Sequence, residues 1–292
     1  MLPPSATADI PREVDPQIWR SCAGASVQIP SLYSRVYYFP QGHVEHSFPS
    51  SLISSFSSAS VPCIVSSVEL LADLITDEVF AHLALQPMSH EHFAPSNFSK
   101  FGSDEEENNN VVTFANILTP SDANNGGGFS VRRYCVDFVF PPLDFHADPL
   151  VQKLFIADIH CVVWDFRYIY HSTPRRHLLT TGWSKFINSK KLIAGDSMVF
   201  MRKSIDEMFI GVRRAPNSNH GGKYEYYYGG GGGGAKKEFM RNGKGKLTAG
   251  AVFEAIIKAV QGYPFEVVYY PIAGWSEFVV RAEDVEVSMA GY

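Results

Sequence analysis

With 292 residues, 45% hydrophobic and 19% charged, the chain can bury a large core, which excludes a fibrous or wholly disordered protein. Its formal net charge of −5 argues at first against a polyanionic partner, but the sign is unevenly placed. Residues 111–214 hold 13 Lys and Arg against 9 Asp and Glu, and the rest of the chain holds 12 against 21, so a basic segment lies between acidic flanks.

Residues 1–14, proline-rich and polar, read as a disordered tail without the order of a secretory signal. Asp15-Pro16 reads as a cap and first helical residue, with Ile18, Trp19, Cys22 and Ala23 on one face and Gly24 as the stop. Arg35–Phe39 reads as a strand closed by Pro40-Gln41-Gly42, and the serine-rich stretch Ser47–Ser60 as a flexible excursion. Strands follow near Pro62–Leu71 and Glu78–Gln86. Met88–Asn110 then loses periodicity and ends in the acidic, asparagine-rich SDEEENNN. Strand patterns resume from Val112, through Phe114–Leu118 and Phe129–Cys135; Leu150–Ala157 fits helix or strand.

Trp164 to Lys191 is the most informative stretch. Trp164, Phe166, Tyr168 and Tyr170 alternate against Asp165 and Arg167, the period of a half-buried strand. Ser172-Thr173-Pro174 breaks it, Arg175, Arg176 and His177 fall at the turn, and a second strand runs from Leu178 to Thr180. After Gly182, Trp183, Phe186 and Ile187 share one face of a short helix ending in Lys190 and Lys191. Arginine forks match phosphate and the guanine O6/N7 edge, so the stretch reads as an arm for duplex DNA; a hairpin with a solvated charged tip remains open.

Ala194-Gly195-Asp196 turns into a strand Ser197–Arg202, and Met208–Arg214 closes the segment. Ala215–Gly245, with its glycine run Gly229–Gly234, reads as a flexible loop that buries nothing to offset its ordering entropy. Thr248 caps a helix through Val260 with Val252, Phe253, Ile256, Ile257 and Val260 on its apolar side, and Gly262 ends it. Phe265–Tyr270 and Glu277–Arg281 read as strands. The chain is thus mainly β with short helices (α+β), a small barrel or sandwich at its centre. Three strands before the basic segment and two after it suggest the halves of one interrupted domain.

Two long motifs, ILTPSDANNGGGFSVRRYC (Ile117–Cys135) and PRRHLLTTGWSKFINSKKLIAGDSMVFMR (Pro174–Arg202), resemble the plant B3 DNA-binding domain. IWRSCAG, RVYYFPQGHVEH, TDEVFAHLALQP, PFEVVYYP and SEFVV on the flanks extend the likeness to the N-terminal region of the auxin response factors. The resemblance implies a seven-stranded open pseudobarrel over residues 111–216, inserted into a discontinuous dimerisation domain made of 15–110 and 247–292, with 217–246 as a glycine-rich loop. It implies a nuclear transcription factor that binds auxin response elements with a TGTC core, as a homodimer or a heterodimer with related factors. Family members continue into an ancillary segment beyond the point where this chain stops, so a longer protein is expected.

The same resemblance carries DNA contacts to Gly126, Gly127 and Ser130 on a first arm and to His171, Pro174, Arg175, Arg176, Thr181 and Ser184 on a second. Arg176 is the expected bidentate base reader; Ser130, Thr181 and Ser184 would hold phosphates, and Lys190 and Lys191 would either add phosphate contacts or form a solvated helix end. Gly250, Ala251, Phe253 and Glu254 are the expected dimer contacts, with Phe253 alternatively a core residue. Many relatives carry His at the place of Gly126 and Arg at the place of His171; both changes remove a donor, which implies weaker binding or a relaxed flank preference.

An enzyme is not expected. His160, His171 and His177 lie in sequence near Asp158, Asp165 and Ser184, but no nucleophile elbow, phosphate loop or paired-acid motif accompanies them. The four cysteines, Cys22, Cys63, Cys135 and Cys161, show no metal-ligand spacing with His82, His90 or His92 and read as free, mostly buried thiols of a reducing compartment. No metal, cofactor, small-molecule substrate or membrane association is expected. The remaining rival is an interaction module that dimerises and has weakened or lost DNA binding.

Overall fold

The computed structural model describes residues 12–47, 59–89, 93, 111–124, 128–146, 149–173, 175–215, 223–227, 236–240, 248–271 and 277–290. Helix α1 (Pro16–Ala23) starts where the Asp15 carboxylate accepts from the backbone N–H of Gln17 and Ile18, with Pro16 where no donor is needed. Strand β1 (Arg35–Tyr38) is followed directly by helix α2 (Pro40–Ser47). The sequence suggested only a closing turn there. Pro40 starts a helix as readily as a turn, and α2 gains by burying Pro40, His43, Val44 and His46.

Strands β2 (Val61–Ala72) and β3 (Val79–Pro87) form a long antiparallel pair, bulged between Val65 and Ser67. The last part of the chain supplies helix α5 (Ala249–Gln261), strands β13 (Phe265–Tyr269) and β14 (Val279–Arg281), and helix α6 (Ala282–Ala290). Among the described residues these strands join in one antiparallel five-stranded sheet of order β13-β3-β2-β1-β14. Its outer strands come from the far end of the chain and its inner ones from the beginning. Helix α1 lies on this sheet, the buried Trp19 indole donating to the carbonyls of Leu71 and Phe80, both at 3.1 Å.

The intervening segment forms β4 (Val112–Ile117), β5 (Phe129–Val131), α3 (Arg133–Phe138), β6 (Val151–Asp158), β7 (Val163–Ser172), β8 (Arg175–Leu179), α4 (Trp183–Lys190), β9 (Ser197–Arg202) and β10 (Met208–Arg213). They make a curled seven-stranded half-barrel of order β4-β9-β10-β6-β7-β8-β5. Its described pairings are antiparallel except β10 with β6. The fold is therefore mainly β with short helices, as the residue patterns suggest. Phe129, Phe140, Phe166, Tyr168, Trp183, Phe186 and Phe200 fill its core.

Three local expectations change. The strand read over Phe129–Cys135 stops at Val131, and α3 turns Cys135 and Val139 inward at helical spacing. Leu150–Ala157 resolves as strand β6, with Leu154, Ile156 and Asp158 buried in alternation. Within the segment read as a loop, β11 (Lys223–Tyr227) pairs with β12 (Lys236–Met240) in a two-stranded ribbon, since the strand propensity of KYEYY survives beside the glycines. The glycine run itself lies outside the described residues, as does most of the serine-rich stretch.

Candidate nucleic-acid interface

Strands β7 and β8 make the projecting hairpin. Tyr170 pairs with His177, His171 with Arg176, and Ser172 with Arg175, so strand β8 begins three residues earlier than its apolar pattern implies. The arginines are thus held by ladder hydrogen bonds instead of sitting in a loose turn. His171, Ser172, Thr173, Arg175 and Arg176 are all exposed at this end. Below them Tyr168 is fully buried, and its hydroxyl lies 2.6 Å from His177 Nδ1. Burial lowers the His177 pKa, Arg133 reinforces the effect and Asp137 opposes it, so the ring is neutral at pH 7.

Strand β5 extends the same surface, with Ser130 exposed and paired with Leu178 of β8. Gly126, Gly127 and Pro174 lie outside the described residues. On the described residues nearby, the Trp183 indole donates to the Asp122 carbonyl at 2.8 Å and stacks on Phe129 at 4.5 Å between ring centres. Asp122 in turn accepts from the backbone N–H and hydroxyl of Thr119, at 3.0 and 2.6 Å. Gly182, at φ +94°, lets the chain enter α4 against β7; a Cβ there would lie 2.0 Å from the Asp165 carbonyl oxygen. Thr181 is exposed and Ser184 half-buried on the first turn of α4.

A cavity of about 580 Å³ opens beside the hairpin, lined by Ser130, Arg133, Tyr170, Arg175, Arg176 and Arg202 among others. Arg133 and Arg202 escaped the sequence reading, because α3 and the end of β9 reach this place only through the curl of the sheet. Arg175, Arg176 and Arg202, with Arg133 paired to Asp137 at 3.3 Å, border this concave face, a cationic surplus that suits a polyanion.

Lys190 does not belong to this surface. Its side chain is 7% exposed, and its ammonium donates to Asp77 at 2.8 Å and Asp158 at 2.6 Å. An amine so occupied is not offered to a phosphate, so the expected DNA contact at Lys190 is corrected. Its spacing carried the signal: Trp183, Phe186, Ile187 and Lys190 share one face of α4, and that face is buried. The histidines of the hydrolase reading have structural partners too. His160 Nε2 lies 3.3 Å from Asp77 and 3.1 Å from the Asp73 carbonyl, and His177 serves Tyr168.

The expected dimer residues sit on α5, whose Thr248 hydroxyl caps the helix by accepting from Ala251 N at 3.2 Å. The apolar side read from sequence divides in two. Val252, Ala255, Ile256 and Ala259 pack inward, whereas Phe253, Ile257 and Val260 form a stripe 40%, 56% and 62% exposed. Phe253 is therefore not a core residue. Gly250, Ala251 and Glu254 are exposed beside it.

Residues 114–216 match the family model of the B3 DNA binding domain. Auxin response factor 17 of Arabidopsis thaliana is 65% identical over 311 aligned residues, covering 100% of this chain and 53% of that protein. The chain is the N-terminal, B3-bearing region of an auxin response factor. Auxin response factor 16 of Arabidopsis thaliana matches at 43% over 94% of this chain and 44% of its own length. Auxin response factor 8 of Oryza sativa subsp. japonica matches at 45% over 95% and 43%. The chain spans about half the length of these curated relatives. A solved Arabidopsis FUS3–DNA complex aligns with 35% of this chain and 97% of its own at 20% identity, with a TM-score of 0.31. This auxin response factor region thus carries its B3 match on the half-barrel that presents Arg175 and Arg176.

Proposed function

We propose that this region is the sequence-reading part of a nuclear transcription factor for auxin-responsive genes, and that it recognises duplex auxin response elements with a TGTC core. The observation that carries the reading is the pair Arg175 and Arg176, exposed on a β ladder above the Tyr168–His177 contact. Arg176 is the proposed bidentate reader of a major-groove guanine. Arg175, Ser130, Thr181 and Ser184 are proposed to hold phosphates and fix the register, with His171 at the flank; Arg133 and Arg202 extend the cationic groove. Gly126, Gly127 and Pro174 complete the two proposed arms. Selection from random duplexes tests this: a TGTC core should emerge, and Arg176→Ala should lose preference at one guanine. An equally sharp preference in that variant sinks the proposal.

Dimerisation is proposed through the α5 stripe around Phe253, flanked by Gly250, Ala251 and Glu254, in a domain built from residues 15–110 and 247–292. A three-residue apolar row on an exposed helix face suits a self-complementary contact, and pairing would join two weak half-sites through effective concentration. Phe253→Glu should then weaken binding to paired sites far more than to single ones. Equal loss on both would remove the dimer from the account.

The second reading, an interaction module with weakened DNA binding, draws on one observation. His171 stands directly opposite Arg176, so the hairpin tip has an imidazole where a guanidinium would add a forked donor. A titration across salt separates the readings, since duplex binding must weaken steeply as salt rises.

A further inference from the structure

Proline follows a hydroxyl-bearing residue at only two places in this chain, Thr119-Pro120 and Thr173-Pro174. A threonine before proline is the acceptor pattern of proline-directed protein kinases, and a cation three places further strengthens it. The two sites differ on that second count. Asp122 stands three places after Thr119, whereas Thr173 is followed by Arg175 and, three places on, by Arg176.

The structure separates them further. The Thr119 hydroxyl donates to the Asp122 carboxylate at 2.6 Å and lies 2.8 Å from the Ser121 hydroxyl. Its backbone N–H donates to the same carboxylate at 3.0 Å. A phosphate there would break this network and set its charge against a buried carboxylate. Thr173 stands exposed at the turn between β7 and β8. A kinase takes its acceptor extended, so the end of the ladder has to open. The pair nearest the turn is Ser172 with Arg175, both exposed, and such a ladder end opens far more readily than the core.

A phosphothreonine carries about −1.5 to −2 charges at pH 7 on three strong acceptor oxygens, which guanidinium forks bind well. Arg175 and Arg176 lie two and three positions from residue 173, exposed on the adjoining strand. A phosphate at the turn therefore engages the cations proposed to meet the duplex. It cancels about two positive charges at the tip and places an anion where the DNA backbone must approach. Both effects weaken duplex binding, and neither needs a change of fold.

We propose that Thr173 is a phosphorylation site for a proline-directed protein kinase, and that its phosphate releases the arginine hairpin from duplex DNA. The kinase transfers the γ-phosphoryl group of MgATP to the Thr173 hydroxyl oxygen. The hydroxyl gives up its proton and ADP leaves. Hydrolysis of the ester by a phosphatase returns the hydroxyl and inorganic phosphate. The release rests on the proposed DNA reading by Arg176; the modification itself does not.

The test treats the chain of 292 residues with a purified cyclin-dependent kinase and MgATP, and locates the phosphate by mass spectrometry. One phosphate should enter, at Thr173 and not at Thr119. Binding to a duplex with a single TGTC site should weaken by at least about tenfold, and the log–log salt slope should become shallower by about 1.8, the worth of two contacts. Phosphatase treatment should restore both. Thr173→Ala should bind within about twofold of the parent and keep that affinity after kinase treatment. Phosphate at Thr119 instead, or none at all, overturns the site. Phosphate at Thr173 with unchanged affinity overturns the release, and so does an equal loss in the treated alanine variant. If the untreated protein shows no salt-sensitive duplex binding, the DNA reading fails and takes the release with it, while the mapped phosphate still decides the site.

Discussion

Arg175 and Arg176 at the start of β8 and Lys190 at the end of α4 belong to one basic stretch, and the fold uses them in opposite ways. The arginines stand in solvent at the end of a hairpin that outreaches its sheet. Lys190 is turned inward by the helical spacing it shares with Trp183, Phe186 and Ile187, and two carboxylates hold it. Arg213 and Arg214 are likewise occupied, by backbone carbonyls and by Asp196. A surplus of positive charge in a segment therefore does not say how much of it can meet a phosphate. Exposure decides, and exposure is set by which face an element buries.

The contrast breaks most visibly at Lys190. Replacing it with alanine leaves two buried carboxylates without their cation and should cost about 3–5 kcal/mol in chemical denaturation. A stability unchanged by that substitution would mean the Lys190–Asp77–Asp158 cluster is not buried as described.

A buried base without a carboxylate sharpens the point. His43 is held between the Tyr38 hydroxyl, His46 and the Phe278 ring, and burial, aided by His46, lowers its pKa to about 3. The folded state takes up its proton later than the unfolded chain, whose histidine titrates near 6.5. The His43 contribution is thus complete above about pH 6.5 and is lost progressively as pH falls toward 3. Melting temperatures measured down this range should fall, and fall less in His43→Phe. A variant with the same acid profile would assign the loss to other groups.

Arg176→Ala should lie at the other pole: about 1–3 kcal/mol less discrimination at one base pair, with stability within about 0.5 kcal/mol of the parent. Loss of stability comparable to that of the Lys190 variant would erase the distinction between the two clusters. The smallest change is expected from His171→Arg. One added phosphate contact would steepen the log–log salt dependence by about 0.9 without altering the preferred core. An unchanged slope would place residue 171 away from the duplex.

Much of this was readable in order along the chain. The Asp15-Pro16 and Thr248 caps, the alternation of Phe166 and Tyr168, and the apolar face of α4 all express local rules, in which a few neighbouring residues decide the conformation. The motifs around Arg176 carried the family likeness for the same reason. Lys190 was misread because a lysine at a helix end ordinarily meets water, and Asp77, its partner, lies 113 positions away in the chain. Helix α2 and the turn into α3 were missed where proline and short apolar runs fit more than one structure.

Local pattern by itself determined most of the strands and the helices α1, α4 and α5, the caps at Asp15 and Thr248, and that one basic hairpin would stand out among them. Only the tertiary structure decided which cations remain available, that Phe253 faces outward, and that Arg133 and Arg202 join the arginine hairpin around one groove. The reason is that burial and ion pairing depend on distances between residues far apart in sequence, and those distances exist only once the two sheets have closed on their shared core.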